Sequence, residues 1–209
     1  MHFSTLCYIT DRRGLHRYPL SGFLVRAVEA GIGMIQIREK DLETRALCEL
    51  AELAVASARK GASLIVINDR LDIALASGAS GVHLGSHSLT ASAARSIAPE
   101  GFLVGVSCHS LDQARAAESM GADYLLLGPI FETPSKLAFG PPLGEAKLKK
   151  VIEEVKVPVL ALGGITPERI PACIEAGASG IAGIRIFQEA PTLSERVKQL
   201  SGYFSRKGV

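Results

Sequence analysis

Gly61-Ala62-Ser63-Leu64-Ile65-Val66-Ile67-Asn68-Asp69-Arg70 carries the repeating device of this chain: a glycine that stops a helix, a short apolar run, and a polar tail. Leu64–Ile67 is apolar throughout and rich in β-branched residues, the pattern of a strand covered on both faces. Seven more such runs occur, at Leu6–Thr10, Met34–Ile37, Gly81–Leu84, Leu103–Val106, Tyr124–Leu127, Val157–Leu160 and Gly180–Ile184. Stretches of helical period lie between them; in Thr44–Lys60, Leu47, Leu50, Ala51, Ala54 and Ala58 share one face. Gly-Ala recurs at Gly78-Ala79, Gly121-Ala122 and Gly177-Ala178, each time after a helical stretch and before a strand run. Glycine at such a place supplies the left-handed residue that ends a helix. Strand then helix, eight times over and without a Pro- or Ser-rich linker, predicts an α/β fold, a (β/α)8 TIM barrel forming a single domain over residues 1–209. An open doubly wound sheet is the alternative, but eight units match the barrel and no G-x-G-x-x-G follows the first run.

Composition narrows the class of partner. With 47% hydrophobic and 21% charged residues the chain can bury a sizeable core, and its net charge of +2 offers no broad basic field for nucleic acid or an anionic membrane surface. No apolar stretch reaches the roughly 18 residues of a membrane span, and the apolar start stops at Asp11 without a basic n-region. A cytoplasmic protein is expected, and the sequence leaves room for a homo-oligomer. Cys7, Cys48, Cys108 and Cys173 lie far apart, so they read as reduced thiols rather than a zinc site or a disulfide framework.

In a barrel of this kind the chemistry sits just after the strands. After the second run comes Gln36-Ile37-Arg38-Glu39-Lys40, where alternation sends Gln36, Arg38 and Lys40 to one side. At the mouth they suit an anionic substrate; otherwise Arg38 and Lys40 are solvated rim charges. Asn68-Asp69-Arg70 reads either as a helix N-cap or as a site in which Asp69 is a magnesium ligand beside a diphosphate. The long irregular segment after the sixth run carries Thr133, Ser135 and Lys136, hydroxyls and an ammonium suited to phosphate oxygens, or else a plain solvated loop. Gly163-Gly164 after the seventh run and Gly183-Ile184-Arg185 after the eighth occupy the places where barrels build phosphate sites from backbone amides, with Arg185 adding a cation. His83, His87, His109 and Cys108 suggest neither a metal cluster nor a Cys-His dyad, because Cys108 and His109 point to opposite faces and His83 lies inside an apolar strand.

Taken in order along the chain, Tyr8-Ile9-Thr10-Asp11, Gln36 to Lys40, Asn68-Asp69-Arg70, Gly81-Val82-His83-Leu84-Gly85, Gly105-Val106-Ser107, Gly128-Pro129-Ile130-Phe131 and Gly163-Gly164-Ile165 resemble the thiamine-phosphate synthase and thiazole tautomerase family. That resemblance implies a transferase of thiamine biosynthesis. It would join a hydroxymethylpyrimidine diphosphate to a thiazole phosphate and release pyrophosphate. It implies that Gln36, Arg38, Lys40 and Asn68 hold the pyrimidine diphosphate, that Asp69 binds Mg2+, that Lys136 takes the leaving diphosphate and that Ser107 contacts the pyrimidine. Lys136, Ser107 and Arg38 are then the catalytic set. Thr133, Ser135, Gly163, Gly164, Gly183, Ile184 and Arg185 are left around the thiazole phosphate.

The chain departs from the family pattern at three places. Ser88 stands where synthases have a second aspartate, Arg185 where a serine is typical, and Pro129 where the tautomerase branch has its histidine. Two further readings therefore stand beside the synthase: a tautomerase-like isomerase, and a non-catalytic binder of a phosphorylated ligand that regulates a partner. A Schiff-base aldolase using Lys40 or Lys136 fits less well, since such a lysine needs a desolvated setting.

Overall fold

The computed structural model describes residues 5–59, 61–133 and 141–205. Eight parallel strands close into a barrel in chain order, β1 (Leu6–Ile9), β2 (Met34–Ile37), β3 (Leu64–Asn68), β4 (Gly81–Leu84), β5 (Leu103–Cys108), β6 (Tyr124–Leu127), β7 (Val159–Leu162) and β8 (Gly180–Gly183), with β8 pairing back onto β1. The connecting helices are α1 (Leu20–Glu29), α2 (Thr44–Ala58), α3 (Leu71–Ala76), α4 (Ala91–Ile97), α5 (Leu111–Ser119), α6 (Gly144–Glu154) and α7 (Ile170–Glu175). A short α8 (Arg185–Gln188) and a terminal α9 (Leu193–Ser205) follow β8.

Alternation along each strand divides the buried residues into two shells. Outward residues such as Tyr8, Ile35, Ile37, Ile65, Ile67, Val82, Val104, Leu125 and Ile181 pack under the helices. Inward residues Cys7, Ile9, Met34, Val66, Leu103, Tyr124, Leu126, Leu160 and Ala182 fill the barrel axis, so the interior is a packed core. This is why the strand runs read as continuously apolar: each has a dry surface on both sides.

The barrel, its order and its parallel pairing agree with the sequence, and two local expectations need correction. The seventh strand is Val159–Leu162, not Val157–Leu160. Pro158 has no backbone N–H to place in a ladder, and the run begins after it. Gly61 does not supply a left-handed residue, whereas Gly78, Gly121 and Gly177 do, at φ +69°, +87° and +98°. Gly61 is instead close-packed, since a Cβ there would lie 3.2 Å from Val28 Cγ1. Gly31, at φ +84°, supplies the left-handed residue after α1.

Candidate active site

Four consecutive strands bring polar side chains to the C-terminal mouth of the barrel: Gln36 from β2, Asn68 from β3, His83 from β4 and Ser107 from β5. Their inward direction follows from their apolar inward neighbours Met34, Val66 and Leu103. Gln36 is buried at 1% exposure, and its Nε2 has no hydrogen-bond partner among the described residues. A buried amide left so costs about 1–3 kcal/mol unless a ligand or water accepts from it.

Above this ring the loops after β2, β3 and β4 converge on one carboxylate. Asp69 stands in the left-handed region at φ +63°, an uncommon conformation for any residue but glycine. It is not an N-cap: α3 begins at Leu71 with Arg70 in the cap position, and Arg70 pairs with Asp72 at 2.6 Å. Asp69 Oδ1 accepts from the Ser88 hydroxyl and, at 3.3 Å, from the Gly85 amide. Its Oδ2 accepts from Asn68 Nδ2 at 2.7 Å and lies 3.8 Å from Lys40 Nζ. Partial burial opposes ionisation and is the largest single influence. The bonds from Ser88 and Gly85, the Lys40 charge and the Asn68 bond outweigh it and hold the carboxyl below its usual range. Arg38 is exposed at the rim, with no ion pair among the described residues. Of the Gln36-to-Lys40 motif, Glu39 faces the other way: its carboxylate is buried and accepts the Arg12 backbone amide at 3.1 Å and the Arg12 guanidinium at 3.0 Å, tying the first loop to the second.

The opposite half of the mouth is built from backbone. Inward residues there are apolar, Leu126, Leu162, Ala182 and Ile184. Leu162 pairs with Ala182, so Gly163-Gly164 and Gly183-Ile184 emerge side by side. Gly163 and Gly164 both hold left-handed backbone, at φ +95° and +64°. A Cβ on Gly163 would lie 2.6 Å from Pro129 Cβ, and one on Gly164 2.6 Å from the Glu132 carbonyl oxygen. The segment after β6 lies directly against them, donating Ile130 N–H to Leu162 O at 2.8 Å and Phe131 N–H to Gly163 O at 3.1 Å. Arg169 closes the turn with a bond to Gly164 O at 2.7 Å and stacks on the Phe131 ring. On β8, α8 opens with Arg185, which is exposed. The same helix is fastened at its end by Gln188, whose Nε2 donates to Tyr8 Oη at 2.8 Å and to Asp11 O at 2.9 Å.

Thr133 is buried at the end of the described part of the β6 loop; Ser135 and Lys136 lie outside the described residues. The cysteines are free thiols. Burial pushes Cys7 and Cys108 up to about 12, which removes Cys108 as a nucleophile. His83 is a satisfied core imidazole, with Nδ1 at 3.1 Å from Tyr124 Oη and Nε2 at 2.8 Å from Ser107 Oγ. His109 instead bonds the Gly128 carbonyl through Nδ1. Among the described residues no group of three or more His, Cys, Asp or Glu is placed to hold a metal, and no helix is long and apolar enough to cross a membrane.

Glu39 falls on the face opposite Gln36, Arg38 and Lys40, as alternation along the chain expects. One feature escapes sequence reasoning. The Ser107–His83–Tyr124 contacts depend on register across three strands, which a single sequence does not display.

A family model described as thiamine monophosphate synthase matches residues 6–187. The chain is 41% identical over 199 residues to the thiamine-phosphate synthase of Chlorobium luteolum, covering 95% of this chain and 92% of that one. It is 37% identical over 202 residues to the thiamine-phosphate synthase of Syntrophomonas wolfei, covering 97% of each. The solved structure of a thiamine phosphate pyrophosphorylase from Pyrococcus furiosus superposes with a TM-score of 0.87 at 34% identity, covering 97% of this chain and 96% of that one.

Proposed function

The chain belongs to the thiamine monophosphate synthase family, and from that premise we propose that it joins a hydroxymethylpyrimidine diphosphate to a thiazole phosphate, releasing pyrophosphate and forming thiamine phosphate. The observation that carries this reading is the division of one mouth into two unlike halves, a polar and cationic one on β2–β5 and a glycine-built one on β7–β8. Two different oxyanions have separate places, and the reacting carbon and nitrogen meet between them.

The pyrimidine diphosphate lies on the β2–β5 side. Gln36 Nε2, Asn68 and Ser107 contact it from the barrel interior, and Arg38 and Lys40 face its phosphates from the rim. The thiazole phosphate takes the amides around Gly163-Gly164 and Gly183-Ile184, with Thr133 and Arg185 at its edge. Ser135 and Lys136 take their roles, at the thiazole phosphate and the leaving diphosphate, from the family pattern. The bond between the pyrimidine methylene and its diphosphate oxygen breaks, with the electron pair leaving on the diphosphate. The thiazole nitrogen supplies the pair for the new carbon–nitrogen bond. Arg38, Lys40 and Lys136 meet charge that grows on the departing oxygens.

Magnesium fits this donor set only in company with the diphosphate. Asp69 would supply one carboxylate and Ser88 a hydroxyl, with substrate phosphate oxygens and water as the remaining oxygen ligands that a hard cation of this size takes. When bound there it neutralises diphosphate charge. The chain's own part is to keep Asp69 ionised and aimed, through Gly85, Asn68 and Lys40.

Purified protein given both substrates and magnesium is expected to release pyrophosphate and form thiamine phosphate in equal amounts, and release of neither overturns the reading. The single carboxylate favours a second reading, an isomerase that keeps the thiazole phosphate half. Metal-free isomerisation of a thiazole carboxylate phosphate, without pyrophosphate release, selects it.

A further inference from the structure

His83, Gly105 and Tyr124 are register partners on β4, β5 and β6, level with one another inside the barrel. A Cβ on Gly105 would collide with the Tyr124 ring, so the glycine gives that ring room to cross the β5 backbone and reach His83. Tyr124 is fully buried and His83 is 1% exposed. The path runs Tyr124 Oη to His83 Nδ1 at 3.1 Å, then His83 Nε2 to Ser107 Oγ at 2.8 Å, and ends at the strand end that opens on the mouth.

We propose that this chain of contacts is a positioning relay, in which Tyr124 fixes the tautomer of His83 and His83 turns the Ser107 hydroxyl proton toward the substrate. The inference rests on the reading of Ser107 as a substrate contact. A neutral imidazole has one N–H and one bare nitrogen, and what faces one decides the other. A phenol is a strong donor, so Tyr124 O–H donates a hydrogen bond to Nδ1 and the imidazole proton sits on Nε2. Nε2–H then donates to Ser107 Oγ. That oxygen accepts from the relay, and its own proton is left for a hydrogen-bond acceptor in the mouth, such as a ring nitrogen of an aminopyrimidine. Burial holds both ends in the required forms, lowering His83 to about 3 and keeping the Tyr124 phenol protonated.

Nitrogen-15 NMR of the full chain labelled at its five histidines, with His83 assigned by its loss in His83→Gln, reads the tautomer directly. The relay predicts the Nε2–H tautomer for His83. The Nδ1–H tautomer overturns it. Steady-state kinetics supply the second arm. His83→Phe is expected to raise KM for the pyrimidine diphosphate about tenfold with kcat changed less than about threefold, and Ser107→Ala added to it should cost nothing more. His83→Gln, whose amide N–H reaches the Nε2 position, should recover most of the loss. Multiplying effects in the double variant, or a His83→Gln as impaired as His83→Phe, overturn the relay. Should His83→Phe fail to fold, Tyr124→Phe carries the same test with an expected KM rise of about threefold. If wild type turns over neither substrate, the synthase reading falls and the tautomer measurement alone decides the relay.

Discussion

The two halves of the barrel mouth draw their polar groups from different parts of the chain. On β2–β5 the polar groups are side chains: a Gln36 amide with no partner among the described residues, an ionised Asp69 held by three loops, and Arg38 and Lys40 at the rim. On β7–β8 the inward side chains are apolar and the polar groups are backbone, shaped by two left-handed glycines pressed against the loop after β6. If the diphosphate lies where proposed, several charges share it, and the side-chain half is redundant and tunable. The backbone half has no such slack, since a Cβ on Gly163 or Gly164 would lie 2.6 Å from the loop after β6.

The halves also differ in what acid does to them. His83, in the polar half, has its folded-state pKa down at about 3 against an ordinary value near 6.5, because burial penalises the imidazolium. The unfolded chain therefore binds a proton there that the folded chain does not. The full contribution to stability is present above about pH 6.5 and drains away as pH falls toward 3. Denaturant unfolding across that window should show up to about 5 kcal/mol lost through this one group, and a correspondingly flatter pH slope in His83→Gln. Equal slopes for the two proteins would contradict it.

Gly164→Ala should be the sharpest break in the backbone half. Its Cβ would lie 2.6 Å from the Glu132 carbonyl at a φ of +64°, and a loss of about 100-fold in kcat/KM with about 2 kcal/mol of stability is expected. Arg38→Ala, on the side-chain half, should cost about 30-fold in kcat/KM with thermal midpoint unchanged, because its guanidinium is exposed and makes no ion pair among the described residues. If the arginine proves costlier than the glycine, the contrast between the halves is wrong. Ser88→Asp adds a second carboxylate beside Asp69 and should tighten magnesium binding about tenfold by calorimetry in the presence of pyrophosphate. Arg185→Ala, at the open edge of α8, should raise KM for the thiazole phosphate only about threefold.

The barrel was legible because each strand is dry on both faces and each helix stop is punctuated by glycine, signals that need no partner to be read. Where those signals overlap, reading faltered: Val157 looks like strand, but the ladder waits until Pro158 has passed. Gly61 repeats the helix-stop dipeptide, yet its freedom is used for contact with Val28 rather than for a left-handed turn. In the site, the positions of Gln36, Asn68, Ser107 and the paired glycines followed from strand order. The left-handed backbone of Asp69 and its hold by Ser88 and Gly85 did not, because they depend on loops from two strands meeting. Glu39 shows the converse: a residue inside the most substrate-like motif serves to brace Arg12.

A crystal structure with magnesium pyrophosphate and the thiazole phosphate bound together tests the division of the mouth most directly. The account predicts the diphosphate within hydrogen-bond reach of Arg38 and Lys40, its metal on Asp69, and the monophosphate on the amides of Gly164 and Gly183-Ile184. A diphosphate seated on the glycine loops, or a monophosphate among Gln36, Asn68 and Ser107, would contradict it.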